Sequence, residues 1–138
     1  MSTHLKDKRE KILQILKYLA EESAKGTPII VEGKKDIETL RILDVEGTII
    51  AAKTGGKTLL DAVSEIEKTR KKEIILLLDF DRRGKELTKR LKQHLEKTEI
   101  KTNLTFWLNL SSIISKEVKD IEGLASYMET LKSKIPNS

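Results

Sequence analysis

Apolar positions along the chain follow two alternating patterns, helical spacing and short continuous runs. Helical spacing predicts five amphipathic helices, at 5–24, 34–43, 59–66, 87–95 and 121–131. Three short apolar runs, at 28–31, 48–52 and 74–78, are typical of strands buried on both faces of a parallel sheet, and the composition of 104–108 predicts a fourth strand. Strands that alternate with helices in this way predict an α/β fold built from βαβ units, with a mainly parallel four-stranded sheet and helices on both faces.

The chain is short enough to form one domain and long enough to bury a core of its own. Its 138 residues divide into an N-terminal amphipathic helix at 1–26 packed on the domain, an α/β domain at 27–134, and a frayed tail at 135–138.

Acidic residues stand where two of the predicted strands end. Glu32 follows the first strand, Asp79 follows the third, and Asp81 comes two positions later. If the strand order is 2-1-3-4, the first and third strands are neighbours at the point where the order reverses, which is where open parallel sheets bind ligands. Three carboxylates gathered there repel one another unless a cation or a raised pKa relieves them. Hard oxygen ligands of this kind favour Mg²⁺.

Each of these acidic residues has a simpler explanation as an N-cap, because acidic side chains stabilise helix N-termini. The functional interpretation depends on the glycine and basic residues that follow them, which we predict to bind phosphate: Gly33, Lys34, Lys35, Arg82, Arg83 and Lys85. The loop Thr54-Gly55-Gly56 follows the second strand at the same sheet edge. It is either a further phosphate-binding loop at a helix N-terminus or a plain turn.

A P-loop NTPase is an alternative. The segment from Ala51 to Gly56-Lys57-Thr58 approximates a P-loop with Ala in place of the first glycine, and the apolar run ending at Asp79 has the form of its magnesium-binding strand. That interpretation gives no role to Glu32 or Asp81.

Composition narrows the classes of function. The 27 basic and 22 acidic residues give a net charge of +5, which suits a polyanionic partner but also many ordinary proteins. The absence of cysteine excludes disulfides, thiolate zinc sites and cysteine nucleophiles. With no apolar run near the roughly 20 residues of a membrane span and no signal-peptide pattern, we expect a cytoplasmic protein without membrane contact. The 36% of charged residues is thermophile-like.

Two motifs carry a resemblance to a known family. Ile29-Ile30-Val31-Glu32-Gly33-Lys34-Lys35-Asp36 resembles the Toprim glutamate motif, and Leu78-Asp79-Phe80-Asp81-Arg82-Arg83-Gly84 resembles its Asp-x-Asp-x-x-Gly motif. The family includes topoisomerases, primases, recombination mediators and the maturation nucleases of 5S ribosomal RNA. The resemblance covers roughly residues 28–124 and implies a Rossmann-like Toprim fold.

The resemblance also implies chemistry. In catalytic members the glutamate, here Glu32, is a general acid or base and shares in metal binding, while the aspartates, here Asp79 and Asp81, hold Mg²⁺, for which Mn²⁺ is a substitute. This implies a metal-dependent nuclease or other phosphodiester chemistry on RNA or DNA. The chain leaves no room for the added domains of topoisomerases and primases, so it resembles a small stand-alone Toprim protein. The alternative is a non-catalytic nucleic-acid-binding or processing adaptor, acting as a homodimer or in a complex.

Three further acidic residues are weaker candidates for the same site. Asp36 belongs to the glutamate motif, while Asp120 and Glu122 lie in a segment that resembles the Lys-Asp segment of primase-type domains. Asp120 is equally well explained as a helix cap. Phe106 and Trp107 are too few for a base-stacking platform, and we expect them to pack in the core.

Overall fold

The computed structural model of the protein describes the backbone of residues 2–136 and the side chains of residues 4–136. The described part contains six α-helices: α1 (Ser2–Ala24), α2 (Lys34–Ile42), α3 (Leu59–Lys68), α4 (Arg82–Lys97), α5 (Thr105–Ile114) and α6 (Leu124–Lys134). It contains four strands: β1 (Ile29–Val31), β2 (Ile49–Ala51), β3 (Glu73–Leu76) and β4 (Lys101–Asn103). Residue 1 of the predicted N-terminal helix segment and residues 137–138 of the predicted tail lie outside the described residues.

The four strands form one parallel sheet with the order β2-β1-β3-β4. This confirms the predicted fold class and the predicted strand order. In the register, Ile30 of β1 lies beside Ile50 of β2 and Leu76 of β3. The chain leaves β1 to form β2 on one side and then returns to form β3 on the other, so the order reverses at β1.

Consecutive strand residues point to opposite faces of the sheet, and each face has its own core. On one face Ile29, Val31 and Ile75 pack with the apolar sides of α1, α2, α5 and α6. On the other face Ile30, Ile74 and Leu76 pack against α3 and α4. The helices therefore cover both faces, as the continuous apolar runs predict. Within the described chain, no helix has both the length and the apolar character needed to cross a membrane.

The predicted fourth strand at 104–108 is wrong. The strand β4 lies just before it, at Lys101–Asn103, and the apolar segment forms α5 instead. The Asn103 side chain accepts the N–H of Thr105 at 2.9 Å and stabilises the start of this helix. Phe106, Trp107 and Leu110 are buried on one helical face, which confirms the packing role predicted for the two aromatic residues.

Candidate active site

Glu32 and Asp79 meet in the crevice between β1 and β3. Glu32 comes directly after β1, and its carbonyl accepts the N–H of Lys53 at 3.0 Å. Beyond β3 the chain stays extended, because the N–H of Leu77 donates to Ile30 at 2.8 Å, and this brings Asp79 to the same sheet edge. Oε1 of Glu32 and Oδ1 of Asp79 are buried, and neither has a hydrogen-bond donor among the described residues. The sheet thus places two unsatisfied carboxylate oxygens at its switch point.

The environment of Asp79 strongly favours its protonated form. Burial, and then the charge and hydrogen bonding of Glu32, raise the pKa of Asp79 from 3.8 to about 8, and Asp36 and Asp120 add to the effect. A proton on Asp79 gives the two carboxyl groups the donor that they otherwise lack. At neutral pH this pair therefore holds a proton, and a cation that replaced the proton would satisfy the same oxygens.

A lysine stands at the outer side of Glu32. The Nζ atom of Lys53 lies 3.8 Å from Oε2 of Glu32, whose side chain is 15% exposed, while that of Lys53 is 48% exposed. An ion pair this long and exposed contributes little stability. The ion pair instead places the cationic group of Lys53 at the edge of the carboxylate pair. Lys53 is not among the residues predicted from the sequence, although its place directly after the apolar run of β2 was a usable signal.

Asp81 lies apart from the pair, at the start of α4. It is exposed, and its Oδ1 accepts the N–H of Gly84 at 2.8 Å as the N-cap of the helix. Among residues 4–136, no three His, Asp or Glu side chains converge closely enough to hold a metal ion. The structure therefore brings Glu32 and Asp79 together and leaves Asp81 at the adjacent helix N-terminus.

Gly84 sets how closely α4 approaches Asp79. A Cβ atom on Gly84 would lie 2.0 Å from the carbonyl oxygen of Asp79, far inside van der Waals contact. Only a residue without a side chain lets the first turn of α4 pack on this backbone. The glycine of the Asp-x-Asp-x-x-Gly motif thus fixes the basic start of α4, with Arg82 and Arg83, beside the carboxylate pair.

Asp36 is engaged by the backbone on both sides. Its Oδ2 accepts the N–H of Gly33 at 2.8 Å and its Oδ1 accepts the N–H of Glu122 at 2.8 Å. The residue is 6% exposed, and burial raises the pKa of Asp36. Because Gly33 follows Glu32, Asp36 ties the glutamate segment to the turn before α6. This arrangement supports a positioning role for Asp36.

Asp120 and Glu122 lie in that same turn. The carbonyl of Lys119 accepts the N–H of Phe80 at 2.7 Å, which places the turn against the Asp79 segment. Oδ1 of Asp120 accepts the N–H of Gly123 at 2.8 Å and closes the turn before α6, whose own N-cap is Gly123 and not Asp120. The carboxylate of Glu122 points to Lys35, with 3.9 Å between the charged atoms. From this turn the negative charge of Asp120 adds to the rise in the pKa of Asp79.

The basic residues divide between two helices and one groove. Lys34 and Lys35 are exposed in the first turn of α2, and Lys85 is exposed on α4. An open groove of about 450 Å³ runs beside α4, and we call it the α4 groove; its lining residues are Lys53, Arg82, Arg83, Glu86, Leu87 and Arg90. Arg90 was missed in the sequence analysis, although its spacing of two helical turns from Arg83 places both on one face.

The loop at Thr54–Gly56 forms a single 3₁₀ turn. Gly55 and Gly56 have φ angles of 63° and 73°, a left-handed conformation that favours glycine, and their backbone is open to approach. Nζ of Lys57 donates to the carbonyl of Ala51 at 2.7 Å and lies 2.5 Å from a Glu65 carboxylate oxygen. A lysine engaged in this way does not reach toward a nucleotide phosphate, so the geometry does not favour the NTPase alternative.

Comparisons with known proteins agree with the motifs. The model of the Toprim domain matches residues 27–109. The UPF0292 protein MJ1624 of Methanocaldococcus jannaschii is 42% identical over 120 residues, which are 86% of this chain and 91% of that protein. A UPF0292 protein of Methanosarcina acetivorans is 38% identical over 125 residues, which are 91% of this chain and 85% of that protein.

A solved structure shows the same arrangement of elements. A protein from Aquifex aeolicus aligns with a TM-score of 0.64 and 26% sequence identity, over 79% of this chain and 94% of that chain. The matched Toprim region contains β1 to β4, together with Glu32, Asp79 and Asp81. The chain belongs to the Toprim domain family.

Proposed function

We propose that the protein is a magnesium-dependent enzyme that acts on phosphodiester bonds of RNA or DNA. The observation that carries the proposal is the pair of buried carboxylate oxygens, Oε1 of Glu32 and Oδ1 of Asp79, which lack a donor among the described residues. They lie at the switch point of a Toprim sheet and beside a groove lined mainly by cations. A site that gathers unsatisfied carboxylates next to free basic residues fits a divalent cation together with a phosphate.

The donor set fits Mg²⁺. The site offers hard carboxylate oxygens. In proteins Mg²⁺ is usually held by one or two carboxylates, and water and substrate phosphate complete its coordination shell. Glu32 and Asp79 would hold the ion through their unsatisfied oxygens, Asp81 would add its charge from the adjacent helix N-terminus, and Mn²⁺ would serve as a substitute. When bound, such an ion neutralises phosphate charge and lowers the pKa of water.

The protein's own residues would supply positioning and proton transfer. Glu32, partly buried and next to Lys53, would take a proton from the attacking oxygen or return one to the leaving oxygen. Arg82 and Arg83, at the start of α4, would hold the phosphate that lies over Asp79. Lys34 and Lys35, at the start of α2, would hold the backbone on the other side of Glu32.

A second candidate function is a nucleic-acid-binding module that cuts no bond. The observation that favours it is the separation of the acidic residues, since no three of them converge within residues 4–136 and Asp81 serves as an N-cap. In that case the basic residues would bind the strand, and the carboxylate pair would stay protonated.

A cleavage assay separates the two candidates. Labelled structured RNA, single-stranded DNA and duplex DNA are incubated with wild-type protein and Mg²⁺, Mn²⁺ or a chelator. The enzyme proposal predicts cutting that requires metal and is lost in Glu32→Gln and Asp79→Asn. Glu38→Gln and Asp44→Asn change exposed carboxylates away from the pair and are matched controls.

Loss of cutting in the two site variants alone, with all four variants folded, supports the enzyme. If wild-type protein binds nucleic acid but cuts none of the three substrates with either metal, the catalytic proposal is wrong and the binding module replaces it. Equal cutting by wild-type and both site variants would show that the activity does not use this pair.

A further inference from the structure

The α4 groove lies beside the carboxylate pair and follows α4 away from it. Lys53 lines the groove, and its Nζ atom is 3.8 Å from Oε2 of Glu32. Arg82 and Arg83, from the helix turn that Gly84 holds against Asp79, line the same groove. One end of the groove therefore lies next to Glu32 and Asp79, although neither lines it, while Arg90 lies farther along α4.

The groove offers cationic groups that the protein itself does not use. Its lining contains four cationic residues and one carboxylate, that of Glu86. Among residues 4–136, no ion pair within 4.0 Å and no side-chain hydrogen bond engages Arg82, Arg83 or Arg90. Each guanidinium therefore keeps its five donors, which match the geometry of phosphate oxygens.

The groove is longer than a single phosphate requires. Arg83 and Arg90 are seven residues apart on one helix, which corresponds to about 10 Å at roughly 1.5 Å per residue. Successive phosphates of one strand are farther apart than their roughly 3.4 Å rise along the axis, because the backbone winds around it, so this length matches two to three phosphates. Between the two arginines lies the partly buried apolar side chain of Leu87. It offers a surface for sugars rather than for phosphates.

We propose that the α4 groove binds two to three successive phosphates of the strand that continues beyond the phosphodiester at Glu32 and Asp79. The substrate is then a polynucleotide strand, and a mononucleotide or a small phosphate ester fills only the end of the site. This inference rests on the proposed function, because it takes the carboxylate pair as the place of reaction. Arg90 is the far phosphate contact and acts in strand binding.

Binding without catalysis tests the groove directly. Fluorescence polarisation of labelled single strands of 2, 4, 6 and 12 nucleotides is measured in chelator, over a range of salt concentrations, with wild-type protein and Arg90→Gln. We expect Arg90→Gln to weaken binding of the longer strands about 3- to 10-fold and to reduce the salt slope by about 0.7, the value for one lost phosphate contact on a single strand. The dinucleotide is expected to bind both proteins equally.

Two variants control for net charge. Arg70→Gln makes the same chemical change at the opposite end of the sheet, where Arg70 lies among other cationic residues before β3. It is expected to leave affinity and salt slope within twofold of wild type. Glu86→Gln removes the carboxylate from the groove and is expected to strengthen binding.

The outcomes separate this inference from the proposed function. If Arg90→Gln and Arg70→Gln weaken binding equally, or if the effect does not depend on strand length, the groove proposal is wrong. If Arg90→Gln behaves as expected but wild-type protein never cuts, the groove stands and the catalytic proposal fails. If metal-dependent cutting requires Glu32 and Asp79 while Arg90→Gln binds like wild type, the groove fails and the catalytic proposal stands.

Discussion

The replacement Asp79→Asn is predicted to remove a pH dependence of stability that the carboxylate pair creates. Burial and the neighbouring Glu32 raise the pKa of Asp79 to about 8 in the folded protein, against an ordinary value of 3.8. Between these two pH values the unfolded chain has lost the proton and the folded protein keeps it. Folding then takes up a proton, so the free energy of unfolding decreases as pH rises. The contribution of protonated Asp79 to the free energy of unfolding is complete below about pH 4 and is lost as pH passes through about 8.

The size of the effect follows from the same shift. At about 1.4 kcal/mol per pH unit, the full difference corresponds to roughly 6 kcal/mol as an upper bound. The proton is shared with Glu32 and the site is open to solvent at one side, both of which reduce the net value. We therefore expect wild-type protein to lose about 1–3 kcal/mol of stability between pH 5 and pH 8 through this pair. Asparagine resembles the protonated acid and does not titrate, so Asp79→Asn should not show this loss.

Urea unfolding in chelator at pH 5, 6.5 and 8 measures the difference between wild type and variant. Asp44→Asn, in which an exposed aspartate is changed, is the control for the loss of one carboxylate. At pH 8, Mg²⁺ at 100 times its Kd should stabilise wild-type protein by about 2.7 kcal/mol and Asp79→Asn much less. If wild type and Asp79→Asn lose stability in parallel from pH 5 to pH 8, the raised pKa and the reasoning from burial are refuted.

Three further variants test the supports of the site by urea unfolding. Gly84→Ala is expected to lower the free energy of unfolding by about 2–4 kcal/mol, because its Cβ would lie 2.0 Å from the Asp79 carbonyl oxygen. A smaller loss than in Gly55→Ala, where the space around the Cβ is open, would contradict this close packing. Asp36→Asn is expected to lower the free energy of unfolding by about 1–3 kcal/mol and to weaken metal binding, since the amide leaves one of two backbone N–H groups without an acceptor. Stability equal to that of Glu38→Gln would argue against the positioning role of Asp36. Trp107→Phe removes the 2.9 Å hydrogen bond to the Leu78 carbonyl and is expected to lower the free energy of unfolding by about 1–3 kcal/mol. A change below about 0.5 kcal/mol would show that this hydrogen bond does not stabilise the Asp79 segment.

The sequence was informative where both faces of a strand are buried. Apart from Thr48, the runs at 28–31, 48–52 and 74–78 are apolar because helices cover both faces, and they predicted β1, β2 and β3 and the edge where Glu32 and Asp79 meet. The strand β4 was not predicted because it is an edge strand whose residues are exposed or only partly buried: Lys101, Thr102 and Asn103. The apolar residues after it belong to a helix, and a short apolar run does not by itself distinguish the two.

The details of the site depend on contacts that no local pattern contains. Asp36 is acidic and close to Glu32 in sequence, yet its two acceptors are used by Gly33 and by Glu122, which lies 86 positions away. Lys53 and Arg90 enter the α4 groove from the loop after β2 and from α4, and only the packing of α4 on the sheet brings them together. Their places at strand ends and the two motifs predicted the carboxylates, whereas their division into a buried pair and an N-cap required the fold.

Mn²⁺ binding followed by electron paramagnetic resonance shows whether the carboxylate pair of Glu32 and Asp79 holds a metal ion. Free Mn²⁺ is measured against wild-type protein, Glu32→Gln, Asp79→Asn and the control Glu38→Gln at pH 6, 7 and 8. We expect wild type and Glu38→Gln to bind Mn²⁺ more tightly as pH rises, because Asp79 must release its proton, and both site variants to lose at least tenfold in affinity. Equal Mn²⁺ affinity in wild type and Asp79→Asn at pH 8 would contradict this expectation.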